Sequence, residues 1–106
     1  KRVISTDEAP AAVGAYSQAT SNGDLLITAG QLPLTTEGEL LDDEPVADQT
    51  RQCLRNVEAI LESEGLSLDG VLKTTVYLDD IDDFDAFNEA YSEFFESDPP
   101  ARSAAA

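Results

Sequence analysis

Histidine, methionine and tryptophan are missing from this chain, and Cys53 is its only cysteine. Without imidazole, no Ser-His-Asp or Cys-His relay can be built within one chain, because imidazole is the base in those relays. A single thiol forms neither an intrachain disulfide nor a thiolate cluster, and zinc is left without its usual nitrogen and sulfur donors. Positive charge is also scarce: 6 Lys and Arg stand against 22 Asp and Glu, for a formal net charge of -16. Such a surface repels phosphate, which argues against nucleic acid as a partner. No stretch approaches the ~20 apolar residues of a membrane span. The start, Lys1-Arg2-Val3-Ile4-Ser5, has no apolar run behind it of the kind a signal peptide carries. The expectation is a cytoplasmic protein without cofactor, metal or membrane partner.

What the chain does have is enough apolar material for one domain: 42% of its 106 residues are hydrophobic. High charge favours disorder, but the periodicity below argues for a fold. The acids are spread from Asp7 to Asp98 and do not form a tail. Carboxylate-rich solvent faces suit high internal salt, since a Debye length of about 3 Å at 1 M screens the self-repulsion. The composition therefore reads as halophilic.

The first strand is expected over 2–5. "NGDLLITAG" reads as an Asn-Gly turn and a short strand closed by Gly30. "LPLTTEGELLDDEP" is turn-rich, with Gly38 and two prolines breaking any helix. The clearest helix spans 46–64: Pro45 suits its first turn, and Cys53, Leu54, Val57, Ile60 and Leu61 repeat along one face. Gly65 closes it as a C′ residue. Cys53 lies on that stripe and reads as a small buried hydrophobe rather than a reactive thiol. "VLKTTVYL" predicts a β-branched strand over 71–78, with Leu72, Thr74, Val76 and Leu78 on one side and Val71, Lys73, Thr75 and Tyr77 on the other. A second helix follows, with Asp82 as N-cap and Asp85 in a capping-box position. Its Phe84, Phe87, Tyr91 and Phe94 form a core stripe, and Pro99 and Pro100 stop it. A last strand begins near Ala101. The order is β-β-α-β-α-β, with the strands flanking the second helix paired in parallel. Both helices fall on one face of the sheet. The uncovered face, half apolar, suggests burial against further subunits.

Three groups could carry chemistry. Arg102 follows a proline-stiffened turn at the start of a strand. Guanidinium is the side chain best suited to grip a carboxylate in bidentate fashion. Against this stands an ordinary arginine paired with a surface acid. Tyr16 sits in "GAYSQAT", a loop bounded by Gly14 with hydroxyls at Ser17 and Thr20, and either walls a pocket or packs over its own loop. Asn88 lies beside the aromatic stripe and either meets a ligand or faces solvent. "AGQLP", at Gly30-Gln31, lacks both the glycine spacing and the lysine of a phosphate loop.

Together "APAAVGAYSQAT", "LLITAGQLPL", "QTRQCLRNVEAILESEGLSLDGVLKTTVYLDDIDDFDAFNEAYSEFF" and "PPARS" resemble, in order and over the whole chain, the RidA/YjgF family of enamine/imine deaminases. The resemblance implies an α+β, chorismate-mutase-like fold, a mixed sheet with two helices on one face, for a single domain over 1–106. It implies a homotrimer with sheet faces inward and active sites in clefts between subunits. The implied reaction is that of a 2-iminobutanoate/2-iminopropanoate deaminase: 2-imino acids, or their enamine tautomers, are hydrolysed to 2-oxo acids and ammonia, with no cofactor. By that similarity Arg102 holds the substrate carboxylate, and Tyr16 lines the pocket as a catalytic-site residue. Asn88 and Gly30 contact substrate, and Ala104 contributes only its backbone carbonyl. Ala29 stands where some members have serine. Family chains are expected to continue about twenty residues past "ARS" through two strands, one bearing a water-orienting glutamate, so this chain reads as lacking that segment. The alternatives are a non-catalytic small-carboxylate binder of the same fold and, less compatible with the charge, a ribonuclease or translation inhibitor.

Overall fold

A computed structural model describes residues 1–106. Five strands and two helices occur in the order β1 (Arg2–Ile4), β2 (Ala19–Ser21), β3 (Leu26–Thr28), α1 (Val46–Glu62), β4 (Lys73–Tyr77), α2 (Phe84–Ser92) and β5 (Ala101–Ala105). The fold is α+β. β1, β2 and β3 form an antiparallel ladder in that order, and β4 pairs in parallel with β5. The parallel pair is the one expected from a crossover helix. Antiparallel and parallel pairings coexist, as in a mixed sheet, but the two ladders share no hydrogen-bonded strand.

β2 is absent from the sequence-based order. Its three residues, Ala19-Thr20-Ser21, carry too little β-branched character to stand out. The Asn22-Gly23 turn that follows is the hairpin it closes. Asn22 Oδ1 accepts from the backbone N–H of Asp24 at 3.0 Å and Leu25 at 2.9 Å, and Gly23 sits at φ +100°. The strand over 71–78 shortens to Lys73–Tyr77, the stretch in register with Ala101–Ala105, and a 3-10 turn over Leu68–Gly70 precedes it. Within β4 the expected alternation holds: Thr74 and Val76 are half-buried, whereas Lys73, Thr75 and Tyr77 are exposed. It fails ahead of the strand, where Leu72 is 73% exposed.

α1 ends at a Schellman closure. Leu66 N–H donates to Leu61 O and Gly65 N–H to Glu62 O, both at 3.0 Å, with Gly65 at φ +72°. Leu54, Ile60 and Leu61 are buried as the stripe requires, but so are Thr50 and Asn56. Cys53 is half-buried, and desolvation pushes its thiol up to about 11. α2 starts later than expected. Asp80, not Asp82, supplies the cap: its Oδ1 accepts from Asp82 N–H at 2.9 Å and opens a 3-10 turn over Ile81–Asp83. Asp83 then stands at the α2 N-cap without a side-chain bond, and so the expected Asp82–Asp85 box does not form. α2 ends at Ser92, well before the prolines. Its exit tightens into i to i-3 bonds, such as Phe94 N–H to Tyr91 O at 3.1 Å, which turn Phe94 and Phe95 back onto the core.

Two cores result. Ile4, Ala9 and Ala19 pack with Ile60 of α1, with Leu26 alongside. Leu54, Phe87 and Tyr91 join α1 to α2 over Val76 and Leu78. Both helices thus cover the same side of the strands. Val3 and Ile27, which share a row through Thr20, are 60% and 68% exposed, and Tyr77 is 82% exposed. No helix is long and apolar enough to cross a membrane.

Candidate active site

Pro99 and Pro100 carry the chain out of the α2 region, and Arg102 is the second residue of β5. The parallel register sets it opposite Thr74, on the helix-covered side. There the guanidinium carbon lies 4.8 Å from the ring centroid of Tyr91, 5.4 Å from Phe87 and 5.5 Å from Phe84. These distances fall within the reach of cation–π attraction. Its Nη1 donates to Asn88 Oδ1 at 2.8 Å. The two candidates from β5 and α2 are therefore in direct contact.

The remaining cations clarify what is unusual about this one. Of six Lys and Arg side chains, only Arg2 and Arg51 form ion pairs: Arg2 with Glu64, and Arg51 with Asp48 and Glu93. Arg102 has no carboxylate partner despite 22 acids in the chain. The ordinary surface pairing considered above is thus not what the structure contains. A guanidinium carries five N–H donors, and the one side-chain hydrogen bond made by Arg102 goes to a neutral amide. The charge is held by rings and an amide, which leave it uncompensated and available to an anion.

Tyr16 and Gly30 form a second pair. They share the wall of a small hollow of about 50 Å³ with Gln31 and Leu32. Tyr16 also borders an open groove of about 490 Å³, where Ser5, Asp7 and Ser17 present polar groups. Tyr16 as a residue is 55% exposed and is not part of the buried core. A Cβ at Gly30 would meet no atom within 4 Å, so nothing in this chain's packing demands glycine there. Neither cavity includes Arg102 or Asn88. Ala104 lies two residues beyond Arg102, opposite Val76, with an exposed side chain. Thr20 is in β2, hydrogen-bonded into the ladder.

Two buried amides hold these walls, and sequence reasoning missed both. Gln18 Oε1 accepts from Thr6 N–H at 2.7 Å, while its Nε2 donates to the carbonyls of Thr6, Ala9 and Pro10 at 3.1, 3.3 and 2.8 Å. It ties the segment ahead of Tyr16 to the sheet. Asn56 Nδ2 donates to the carbonyls of Leu32 and Leu34 at 3.3 and 2.9 Å, and its Oδ1 accepts from Gln52 at 2.9 Å. It fixes the loop that follows Gly30. The available signal was an amide at position 56, between Cys53 and Ile60 on an apolar stripe, since buried polar groups need partners.

The pattern of the family described as Endoribonuclease L-PSP matches residues 6–106. A RutC family protein of Pyrococcus horikoshii is 49% identical over 103 residues, covering 96% of this chain and 81% of its own. Reactive Intermediate Deaminase A, chloroplastic, of Arabidopsis thaliana is 44% identical over 103 residues, covering 97% of this chain and 55% of that protein. Among solved structures, RidA from an Antarctic Psychrobacter superimposes with a TM-score of 0.92 at 40% identity, over 99% of this chain and 85% of that one. Escherichia coli TdcF with bound serine gives a TM-score of 0.92 at 38% identity, over 99% and 84%. Matched to such relatives along nearly all its length, in sequence and in fold, the chain belongs to the RidA/YjgF family.

Proposed function

We propose that this protein hydrolyses 2-imino acids, and the enamines in equilibrium with them, to 2-oxo acids and ammonia. The observation that carries the reading is the unneutralised Arg102 guanidinium in a protein of net charge -16. A 2-imino acid offers a carboxylate to that cation. Its C=N carbon is already electrophilic, so holding it beside a water supplies much of the acceleration. Water adds to the carbon, protons shift to nitrogen, and ammonia leaves as the carbonyl forms. Asn88 orients the guanidinium, Tyr16 and Gly30 wall the pocket, and Ala104 lends its backbone.

Arg102–Asn88 and Tyr16–Gly30 lie in separate places within one chain. The reading joins them between copies of a homotrimer, in which the Arg102 pair of one subunit faces the Tyr16 pair of the next. The exposed apolar residues on the helix-free side, Val3, Ile27 and Tyr77, support burial there against other copies. Two relatives lend support: the Arabidopsis protein is named a reactive intermediate deaminase, and E. coli TdcF binds serine, itself a small 2-amino carboxylate. The reaction belongs in the cytoplasm, where imines are released by enzymes acting on amino acids.

The test is semicarbazide trapping of the imine released by an amino-acid dehydratase. Arg102→Ala is expected to lower the hydrolysis rate on the order of a hundredfold while leaving assembly intact. An unchanged rate removes the site assignment. A binding module without turnover is the second reading, favoured by the open Arg102 donors alone, and it predicts carboxylate binding with no catalytic ammonia release. The family description also names a ribonuclease. RNA cleavage that persists in rigorously purified protein would favour that reading over the charge argument.

A further inference from the structure

The side chain beneath Arg102 is itself anchored. Tyr91 is 5% exposed, and its hydroxyl lies 2.7 Å from Thr74 Oγ1. Thr74 is the β4 residue in register with Arg102 on β5. One strand pair therefore supplies both the cation and the hydroxyl that fixes the ring the cation rests on. Phe87 packs against Tyr91 at 5.3 Å between centroids and Phe95 at 4.7 Å, both tilted, so two further rings hold it in place. Asn88 then holds Nη1 from the side.

These contacts remove the motions that an arginine normally keeps. The ring face limits how far the guanidinium can drop toward the core, and the Asn88 bond limits its rotation. The donors that Asn88 does not use keep the fixed fork of a planar guanidinium, which bidentate capture of a carboxylate requires. We infer that Tyr91, locked by Thr74, is a positioning residue that sets the aim of Arg102 at a small carboxylate. The inference rests on the proposed role of Arg102 as the carboxylate anchor. Tyr91 need not touch the ligand, because it acts through the guanidinium.

The experiment compares wild type with Thr74→Val, Thr74→Ser and Tyr91→Leu. Two readouts are used: the dissociation constant of 2-oxobutanoate, and the Arg102 Nε–Hε resonance in the ligand-free protein. Thr74→Val and Tyr91→Leu are expected to weaken 2-oxobutanoate binding about five- to tenfold, the size of a lost cation–π contact. They are also expected to broaden the Arg102 signal, while Thr74→Ser, which keeps the hydroxyl, restores both. In turnover the loss should fall on KM more than on kcat. The inference is overturned if both variants bind 2-oxobutanoate and hold the Arg102 signal as wild type does, or if Thr74→Ser behaves like Thr74→Val. Failure of the underlying reading looks different: wild type itself would not bind 2-oxobutanoate, or would bind it equally well as Arg102→Ala.

Discussion

The Arg102 guanidinium donates to the side-chain oxygen of Asn88 at 2.8 Å, across fourteen positions of sequence and from strand to helix. The partner is neutral, and that choice matters more than the distance. A carboxylate in the same place would anchor the arginine equally well and would also consume its charge.

Asn88→Asp is the substitution that isolates this effect. It should leave the guanidinium in place, replace an amide bond with an ion pair, and leave the melting temperature unchanged or higher. Binding of 2-oxobutanoate should weaken by at least about tenfold, because the cation is already matched. Calorimetric titration checks it, and affinity equal to wild type would show that the open charge is not what the ligand reads.

Asn56→Leu tests the loop clamp. The carbonyls of Leu32 and Leu34 would lose their side-chain donor inside the protein, and Gln52 its acceptor. Urea unfolding should show a loss of about 2–3 kcal/mol, the cost of leaving buried polar groups unpaired. Any loss of activity should accompany loosening of the loop after Gly30.

Cys53 should resist alkylation in the native state. Burial raises its thiol to about 11, so little thiolate exists at pH 8. Native protein should react with iodoacetamide far more slowly than urea-unfolded protein, and its rate should keep rising beyond pH 9. Equal rates in the two states would mean that the stripe position is open to solvent.

Arg51 ties α1 to the exit of α2. Its Nε and Nη2 donate to the two Glu93 carboxylate oxygens at 3.1 and 2.8 Å. The hydrogen bond from Arg51, helped by the charges of Arg51 and Arg55, holds the Glu93 carboxyl below its usual range. A lowered folded value means the pair stabilises fully above the unfolded carboxyl pKa of about 4.3, and that the contribution fades as pH falls through the folded value. Glu93→Gln should therefore lower the urea midpoint at pH 7 and low salt, with the gap to wild type closing in acid. Exposure of the pair predicts a modest gap that shrinks with added salt.

The carboxylate-rich composition predicts the opposite response of the whole molecule to salt. Screening of a net charge of -16 should raise the melting temperature between low ionic strength and molar KCl. Matching values at both would remove the halophilic reading.

Where the sequence was legible, the signal was periodic or local. The α1 stripe, the Gly65 closure and the β4 alternation all repeat or terminate within a few residues. Arg102 and Asn88 could be picked out singly, but their contact depends on a crossover that no local pattern states. Gln18 and Asn56 were opaque for the same reason, since the carbonyls they serve lie 8 to 24 residues away. The cap of α2 was misplaced because the run Asp79-Asp80-Ile81-Asp82-Asp83 offers several equivalent caps, and only the 3-10 turn over Ile81–Asp83 selects Asp80.

Because β5 pairs with β4 in parallel, the chain between them must cross back over the sheet, and α2 lies within that crossover. Non-local closures of this kind come late and slowly in folding. The Arg102 guanidinium thus comes to rest on the Tyr91 ring only when that strand pair has closed, so a chain that has formed its helices alone has not yet assembled the Arg102–Asn88–Tyr91 cluster.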